Sequence, residues 1–439
     1  MGKSLYIAEK PSVAQEFAKA LHINTQRKDG YLESAEAIVT WCVGHLVTMS
    51  YPEEYDPALE DLTIYHLLTM QAGSKECCNN VWFSKLTKDW ETNWLKQPKI
   101  REDIGKAFHY DSGCSYTLSR IVTKVMGKNC LALMQERVFD KMGFGEINWL
   151  TSPEGHNTGG WGMYLTAGKI SALAQLLLQK GEWNGEQLIP AWWTEEIGKM
   201  RVVIPEDEKK ALTHYAYHIK AGKEIFAAEG AFGQYLICFR DYPVAIGITA
   251  GASEYLAADI CLKYIKEAVQ IPCEKENLEE AQEKLEEKLV HLTLPKPEGD
   301  KKDTNEATKK LLNKRIAFTE NPRQIESAVI STVGEELKLE LTVAGEKKIL
   351  FAGYKDWKCN DMYPNDFTKR YHAVSYAFDE DALYLSVGLL NTSYREEYCL
   401  WVNSENVVVG TWRPNVTYLP AEEDMTWKFT GTFEPSCIL

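Results

Sequence analysis

Residues 159–167 read Gly-Gly-Trp-Gly-Met-Tyr-Leu-Thr-Ala, and a helical pattern begins where this stretch ends. The apolar residues of that pattern share one face of a helix over residues 167–180: Ile170, Leu173, Leu176 and Leu177. Gly181 follows as the expected C-cap, and Asn184-Gly185 is a strong tight-turn signal. The stretch therefore predicts a glycine-rich loop that leads directly into a packed helix.

Helical and extended patterns alternate on both sides of this stretch. Upstream, residues 115–126 are expected to form a helix that ends at Gly127, with one apolar face: Leu118, Ile121, Val122 and Val125. Downstream, two apolar runs within residues 232–251 are divided by Arg240-Asp241-Tyr242-Pro243, which predicts a strand, a turn and a strand. Residues 253–269 again have a helical pattern. Both kinds of element are therefore expected in this part of the chain.

The last part of the chain has a different composition. Residues 274–310 are dense in Glu and Lys, and Pro295 and Pro297 lie in their second half. This composition predicts an exposed charged helix followed by a linker. From residue 311, alternating apolar segments are separated by turns, as in residues 337–343 and 382–387. This pattern predicts a small antiparallel β-barrel or sandwich.

The composition limits the classes of function. The 439 residues include 49 Lys and Arg against 63 Asp and Glu, so the formal net charge is −14 and nucleic acid is not an expected partner. No apolar run approaches roughly 18 residues, so no membrane span is predicted. The 11 cysteines have no Cys-x-x-Cys spacing. We therefore expect reduced thiols in a cytoplasmic protein, with no metal and no cofactor.

Five segments occur in an order that is typical of one enzyme family. They are residues 63–73 (Thr-Ile-Tyr-His-Leu-Leu-Thr-Met-Gln-Ala-Gly), 108–112 (Phe-His-Tyr-Asp-Ser), 159–167, 175–185 and 230–235 (Gly-Ala-Phe-Gly-Gln-Tyr). Together they resemble segments of class C β-lactamase-related, penicillin-binding-like serine hydrolases. The resemblance implies an α/β sandwich with a helical region, behind which a linker and a β-rich tail also occur.

The same resemblance implies roles for individual residues. Tyr110, in the family's Tyr-x-Asn/Ser motif, would be the general base or relay, and Ser112 would orient the substrate. The last active-site strand would supply an oxyanion-hole amide. The residues assigned to that strand and to the cleft are Gly230, Phe232, Gly233 and Gln234. The expected ligand is a small molecule or a peptide-like compound.

One element of that family is missing from this sequence. The family's nucleophilic serine lies in Ser-x-x-Lys, where one helical turn brings the lysine amine beside the hydroxyl. No serine here has lysine three residues on, and Ser12, Ser74 and Ser84 are followed by other residues at that position. The nucleophile is therefore unassigned. We expect a hydrolase homologue that is impaired or inactive in acyl transfer, or alternatively a non-catalytic binding or interaction protein.

The first 60 residues resemble a different family. Residues 5–12 (Leu-Tyr-Ile-Ala-Glu-Lys-Pro-Ser), 29–33, 39–46 and 52–57 are similar to the opening of the Toprim domain in type IA DNA topoisomerases of the topoisomerase III kind. The resemblance places Glu9 as the acid for strand cleavage and metal binding, and Lys10 beside the DNA backbone. The Asp-x-Asp-x-Asp cluster that holds Mg²⁺ in that family is absent from the sequence. DNA processing is therefore the third and least favoured function.

The two resemblances predict four parts. They are a truncated Toprim-like segment (1–60), a β-lactamase-related domain that lacks its N-terminal part (61–272), a charged helix and linker (273–310) and a β-rich domain (311–439). A fusion near residues 58–63 would join the Toprim-like fragment to an incomplete β-lactamase-like α/β sandwich.

Tryptophan is frequent in the helical region, and two interpretations of it stay open. The side chains either form a carbohydrate platform or pack the helical region and the rim of the cleft. The residues concerned are Trp82, Trp90, Trp94, Trp161, Trp183, Trp192 and Trp193.

Overall fold

The computed structural model divides the chain into two compact units. The first comprises Met1–Met163 and Gln179–Phe226, and the second comprises Tyr164–Leu178 and Ala227–Leu439. The structure describes residues 4–8, 11–20, 23–28, 31–41, 57–205, 210–252, 257–271, 278–297, 299, 309–365, 368–379, 381–417 and 425–434.

The described residues form ten α-helices and 24 strands. The helices are α1 (Pro11–Ala20), α2 (Ile64–Leu68), α3 (Asn80–Ser84), α4 (Trp90–Leu95), α5 (Ser112–Met126), α6 (Cys130–Met134), α7 (Ala167–Leu178), α8 (Ala191–Ile197), α9 (Ala257–Ala268) and α10 (Leu278–Val290). The first fourteen strands are β1 (Ser4–Ala8), β2 (Gln26–Lys28), β3 (Tyr31–Glu33), β4 (Ala37–Trp41), β5 (Asn148–Trp149), β6 (Met163–Tyr164), β7 (Glu182–Trp183), β8 (Glu186–Gln187), β9 (Val202–Val203), β10 (His214–Tyr215), β11 (Lys220–Ala221), β12 (Ile225–Gly230), β13 (Gln234–Phe239) and β14 (Ala245–Ile248). The remaining strands are β15 (Arg315–Phe318), β16 (Ile325–Val333), β17 (Glu336–Val343), β18 (Glu346–Tyr354), β19 (Lys358–Asn365), β20 (Thr368–Asp379), β21 (Ala382–Leu389), β22 (Arg395–Val402), β23 (Val408–Pro414) and β24 (Trp427–Phe433).

The N-terminal segment forms a small sheet with a helix. Its strands follow the order β1-β4-β3-β2, and β1 pairs with β4 in parallel. A parallel pair needs a crossover, which α1 provides. Ala14 and Ala18 of α1 pack against Leu32 and Val39 of the sheet. Helix α1 begins at Pro11, whose fixed φ suits the first position of a helix.

Helix α5 covers the predicted residues 115–126 but begins three residues earlier, at Ser112, and its buried face only partly matches the prediction. Gly127 ends the helix in the left-handed region (φ +66°), as expected. Val122 and Val125, however, are exposed, and the buried residues are small or polar in most cases: Ser112, Gly113, Cys114, Ser115, Tyr116, Thr117 and Ser119. The predicted apolar face is therefore only half right, because Leu118 and Ile121 pack against the core while the two valines do not.

Four aromatic rings pack together in the core of the first unit. The Trp90 and Trp161 rings lie 5.9 Å apart with an interplanar angle of 24°, and the Phe83 ring lies 5.3 Å from that of Trp161. Tyr116 of α5 contacts Phe83 at 5.5 Å. The packing interpretation therefore holds for this part of the tryptophan-rich region.

The second unit contains α7 packed against β13 and β14. The Ser171 hydroxyl of α7 accepts the Gly247 amide of β14 (2.8 Å), and the Cys238 thiol of β13 donates to the Ala174 carbonyl (3.4 Å). Strands β13 and β14 are antiparallel, with Leu236 opposite Gly247. The predicted strand, turn and strand are confirmed.

Helix α10 lies in the region predicted to be a charged helix. Its residues are exposed throughout, and its charged side chains include Glu280 and Lys284, which form an ion pair at 2.5 Å. No helix among the described residues has both the length and the apolar composition needed to cross a bilayer.

The C-terminal sheet closes on itself. Its ten described strands follow the order β18-β17-β16-β15-β24-β23-β22-β21-β20-β19. Strand β18 also pairs in parallel with β20, at Gly353–Ser375 and Tyr354–Tyr376. This extra pair closes nine of the described strands into a barrel, and β19 continues the ladder from β20. The Asn360 side chain of β19 also hydrogen-bonds the Phe351 backbone of β18. An apolar cluster that includes Leu337, Phe378 and Leu383 is buried in this part of the chain. Of the two predicted alternatives, the structure has the barrel.

Candidate functional site

A buried carboxylate organises the start of α5. Asp111 is fully buried, and within the described part of the chain its side chain accepts four hydrogen bonds. The donors are the Ser74 hydroxyl (2.5 Å), the Cys78 amide (3.2 Å), the Trp94 indole (2.7 Å) and the Gly113 amide (2.8 Å). The Gly113 bond makes Asp111 the N-cap of α5. The four bonds offset the cost of removing a carboxylate from water.

A lysine lies in the same cluster. The Lys99 ammonium nitrogen is 3.5 Å from the Ser74 hydroxyl oxygen and 4.2 Å from the centre of the Trp94 ring. Ser74 and Lys99 also form an isolated antiparallel bridge. A serine and a lysine therefore meet in space although they are 25 residues apart in sequence. The Ser74 hydroxyl donates a hydrogen bond to Asp111, and the Ser74 and Lys99 side chains are both buried. The Ser74–Lys99 pair therefore stabilises the packing of these segments.

Tyr110 and Ser112 have opposite environments. Tyr110 is 46% exposed, whereas Ser112 is only 6% exposed as the first residue of α5. The Gly160 backbone covers this end of the helix, because a Cβ built on Gly160 would lie 3.0 Å from the Ser115 Cβ and 3.8 Å from the Ser112 Cβ. The structure thus brings the 110–112 segment and the glycine-rich loop together.

His218 contacts α5 through a serine. The Ser115 hydroxyl is 3.2 Å from Nδ1 of His218, and Nε2 of His218 is 3.3 Å from the Leu67 carbonyl oxygen. Burial lowers the pKa of His218 to about 4, so the imidazole is neutral near pH 7. Because a carbonyl only accepts, the proton of the neutral ring is assigned to Nε2, and Nδ1 accepts from Ser115.

The thiols beside Asp111 stay protonated. Burial and the negative charge of Asp111 raise the pKa of Cys78 to about 12, and the same two causes raise the pKa of the fully buried Cys114 well above its ordinary value. Cys77 is exposed as a residue, but partial burial of its thiol and the negative charge of Asp111 raise its pKa as well. The thiolate is the reactive form of cysteine, so this environment works against a cysteine nucleophile.

The candidate strand of the sequence analysis forms a tight turn between β12 and β13. Phe232 (φ +63°) and Gly233 (φ +88°) both lie in the left-handed region. The Gln234 side-chain amide donates to the Ala250 carbonyl (2.5 Å), and the Ala252 amide donates to the Phe232 carbonyl (3.0 Å). These bonds attach the turn 230–234 to residues 250–252.

Barrel residues contact this turn within the second unit. The Tyr394 ring lies 6.0 Å from that of Phe232 at an interplanar angle of 75°. The Gln234 amide is also 3.5 Å from the Ser393 hydroxyl. The Asn415 side-chain amide donates to the carbonyls of Gly251 (3.1 Å) and Ser393 (2.9 Å). The turn is therefore held partly by the barrel.

Two of the predicted site residues, Glu9 and Lys10, lie outside the described residues. Within the described ranges, no group of three or more His, Cys, Asp or Glu side chains is placed to hold a metal ion. Tyr110 and Ser112 belong to the first compact unit, and Gly230, Phe232, Gly233 and Gln234 belong to the second.

Comparison with known families identifies one family in the middle of the chain. The family model described as Beta-lactamase matches residues 46–268, about half of the chain. The chain belongs to the beta-lactamase family. This beta-lactamase family member therefore carries the 110–112 segment, the glycine-rich loop and the turn 230–234 within the matched residues.

Solved structures similar to this beta-lactamase family member include penicillin-binding proteins. The octameric penicillin-binding protein homologue from Pyrococcus abyssi is 10% identical, with a TM-score of 0.37, and the match covers 84% of this chain and 78% of that one. The penicillin-binding protein from Bacillus halodurans is 17% identical, with a TM-score of 0.34, over 51% of this chain and 78% of that one.

The chain is also similar to a second class of protein, the DNA topoisomerases. DNA topoisomerase 3 of Staphylococcus aureus strain USA300 is 56% identical to this beta-lactamase family member over 111 residues, which are 24% of this chain. The matching protein of Staphylococcus aureus strain bovine RF122 / ET3-1 is 54% identical over the same length. The chain spans about 15% of the length of these relatives. The predicted Toprim-like fragment is confirmed at this level.

Several residues of the site region were missed by sequence reasoning. Asp111 is the variable residue of the Tyr-x-Asn/Ser motif and lies four residues before the helix predicted over 115–126. It is the N-cap because the helix of the structure begins earlier, at Ser112. Lys99 and His218 come next to Ser74 and Ser115 through tertiary contacts that span 25 and 103 residues. No local pattern in the sequence indicates either pair.

Proposed function

We propose that the chain is a β-lactamase-related serine-hydrolase homologue that binds a small-molecule or peptide-like ligand without forming an acyl-enzyme. The observation that carries the proposal is that none of its serines has lysine three residues on. Without that lysine, the family's route for activating a serine hydroxyl by a neighbouring amine is missing.

The two serine pairs found in space do not supply a substitute. The hydroxyls of Ser74 and Ser115 both belong to buried residues. The Ser74 hydroxyl donates to the Asp111 carboxylate, and Ser115 lies under the Gly160 backbone. A nucleophile has to come within about 3 Å of the carbon that it attacks, so a hydroxyl enclosed in this way cannot reach a substrate carbonyl.

The proposed ligand site of the first unit keeps two features of the family. Tyr110 presents an exposed phenol, which would contact the ligand as the general base or relay does in the family. Ser112, the first residue of α5, would orient the ligand, as the family resemblance implies. Separately, in the second unit, the family resemblance assigns Gly230, Phe232, Gly233 and Gln234 to the carbonyl-binding strand, and the hydrogen bonds from this turn to residues 250–252 support a fixed conformation.

DNA strand cleavage is not part of the proposal. The topoisomerase likeness covers only about 15% of those enzymes, and the chain has no Asp-x-Asp-x-Asp cluster for Mg²⁺. The net charge of −14 also works against binding to DNA.

Intact-mass spectrometry tests the absence of acyl transfer. After incubation with a fluorescent penicillin, and separately with a fluorophosphonate, we expect the mass of the protein to stay unchanged. Ser74→Ala and Ser115→Ala serve as matched variants that would locate an adduct if one formed. Stoichiometric labelling of any serine would contradict the proposal and identify the nucleophile.

A titration tests the binding part separately. Unlabelled penicillin G is added while saturation-transfer NMR follows the ligand, and we expect binding that the Tyr110→Ala variant weakens. A second family ligand, a dipeptide ending in D-alanine, distinguishes a β-lactam preference from peptide-like recognition. If neither compound binds, the ligand-binding half of the proposal fails even where the mass spectra agree with it.

A further inference from the structure

Four aromatic side chains form a surface on the first unit that is separate from the tryptophan core. Tyr65 is the second residue of α2, Trp192 and Trp193 lie on α8, and Tyr217 lies between β10 and β11. Trp192 is 57% exposed and Tyr65 is 42% exposed. We call these four residues the aromatic surface.

The rings of the aromatic surface contact one another in a continuous series. Trp193 and Tyr217 lie almost parallel, at 5.4 Å and 13°. Trp192 meets Trp193 edge-on at 5.7 Å, and Tyr65 meets Tyr217 edge-on at 6.0 Å. Such arrangements are the favoured geometries for aromatic pairs, so the rings fix one another in position. Two exposed rings are thereby held on either side of a stacked pair.

Charged side chains lie beside the stacked pair, and one of them stacks on it. The Arg201 guanidinium carbon lies 4.2 Å from the centre of the Tyr217 ring. Arg201 also forms an ion pair with Glu196, and Glu196 forms a second one with Lys199. One carboxylate thus faces two cations, so a small positive charge remains beside the rings. The guanidinium also occupies a ring position that a cationic ligand would need.

The exposed rings are not explained by core packing. Trp82, Phe83, Trp90 and Trp161 account for the packed aromatic cluster, and none of the four residues of the aromatic surface contacts those rings among the described ring pairs. A rigid cluster of large apolar rings that stays in contact with water marks a binding site more often than a single exposed residue does. Tyr and Trp also carry a hydroxyl or an N–H at the edge of an apolar ring, which suits a ligand with both apolar and polar faces.

We propose that the aromatic surface binds an uncharged pyranose oligosaccharide. The apolar C–H face of a pyranose ring stacks on an aromatic face, while the hydroxyls around its edge pair with the phenols and indole N–H groups. Nucleic acid, which also stacks on aromatic rings, is opposed by the net charge of −14. A quaternary ammonium ligand is opposed by Arg201 at the Tyr217 ring. The carbohydrate interpretation of the tryptophan-rich region therefore applies to this surface, and it does not depend on the proposed function.

Saturation-transfer NMR with chitohexaose and with cellohexaose tests the proposal on the full chain. We expect at least one of the two sugars to bind, and Trp192→Ala and Tyr65→Ala each to weaken that binding by about tenfold or more. Tyr264→Ala is the matched control, because Tyr264 is 60% exposed on α9 of the second unit. This control should bind the sugar as the wild type does.

Three results would overturn the proposal. They are the failure of both sugars to bind the wild type, binding that Trp192→Ala and Tyr65→Ala leave unchanged, and self-association of the wild type that Trp192→Ala abolishes in sedimentation velocity. The last result would identify the aromatic surface as a contact between copies of the chain. Because Trp192 and Tyr65 are exposed, both variants should fold, and circular dichroism with thermal unfolding verifies this.

Discussion

The side-chain amide of Asn415, at the end of the barrel strand β23, donates a hydrogen bond to the backbone carbonyl of Gly251 at 3.1 Å. Gly251 has no room for a side chain, because a Cβ there would overlap the Asn415 amide and the Ser393 carbonyl. The Asn415 carbonyl oxygen in turn accepts the Arg395 amide at 2.8 Å. One asparagine therefore joins two barrel strands to the loop that holds the turn 230–234.

Replacing Asn415 by Ala should release this loop. The change removes the donor to Gly251 and Ser393 and leaves the Arg395 amide without its acceptor, which should lower the free energy of unfolding by about 1–3 kcal/mol. Amide hydrogen exchange should become faster at residues 250–252. Asn403→Ala is the control, since Asn403 accepts the amides of Glu405 and Val407 inside the barrel only. Equal exchange at residues 250–252 in both variants would contradict the role of Asn415.

Asp111→Ala should strongly destabilise the first unit. The change leaves the Ser74 hydroxyl, the Trp94 indole and the Cys78 amide buried without their acceptor. We expect a loss of about 3 kcal/mol or more in the free energy of unfolding, measured by urea denaturation. Glu146→Gln, at an exposed position, should change that free energy by less than about 0.5 kcal/mol. A loss for Asp111→Ala as small as that of the control would show that the carboxylate is not needed for the cluster.

Gly113→Ala should destabilise the protein although alanine favours helices. A Cβ on Gly113 would overlap the Trp94 indole, which is fully buried and cannot move aside. Overpacking of this kind costs about 1–3 kcal/mol. Gly168→Ala in α7 is the matched helical control, because a Cβ there would meet only the Thr166 hydroxyl at 3.9 Å. The control should be neutral or stabilised by up to about 1 kcal/mol, and thermal unfolding of the pair decides the matter. A stabilised Gly113→Ala protein would show that the indole can move.

His218 should make the protein less stable in mild acid. Its folded pKa of about 4 lies below the ordinary 6.5, so the unfolded chain binds the extra proton between these values. The stability conferred by the neutral ring is complete above about pH 6.5 and is lost as the pH falls towards 4, by up to about 3 kcal/mol. His218→Gln should lack this part of the pH dependence in urea unfolding at pH 7, 6, 5 and 4. The exposed His291→Gln should keep it. Parallel pH profiles for the wild type and His218→Gln would refute the assignment.

The order of the elements was readable from the sequence, and the pattern of α5 shows the limit of that reading. The spacing of Leu118, Ile121, Val122 and Val125 places the helix correctly, since periodicity reports that a helix exists. Periodicity misplaces half of the buried face, because Ser115 and Ser119 can be buried when distant groups accept hydrogen bonds from their hydroxyls. Those acceptors are His218 and the Asn157 carbonyl. Hydrophobic periodicity carries no information about such partners.

Long-range contacts explain the other differences. The sequence pattern of β15–β24 left a barrel and a sandwich open, because alternation is the same in both. The deciding pairs, Gly353–Ser375 and Tyr354–Tyr376, are parallel contacts between strands that are not consecutive in the chain. In the site region, the resemblance led to Tyr110 and Ser112, but the residue between them, Asp111, is the one that connects the surrounding segments. The roles of Tyr110 and Ser112 in ligand binding remain proposals.

The pairing of Ser115 with His218 also has a consequence for the order in which the protein matures on the ribosome. The donors at Ser74, Cys78 and Trp94 emerge before their shared acceptor at Asp111, so each must wait for it. Ser115 then waits for a partner 103 residues further on. At about 5–20 residues per second, that interval lasts roughly 5–20 seconds. During this time the Ser115 hydroxyl of α5 lacks its native partner. We therefore expect nascent chains that end before His218 to be incompletely folded and to bind chaperones.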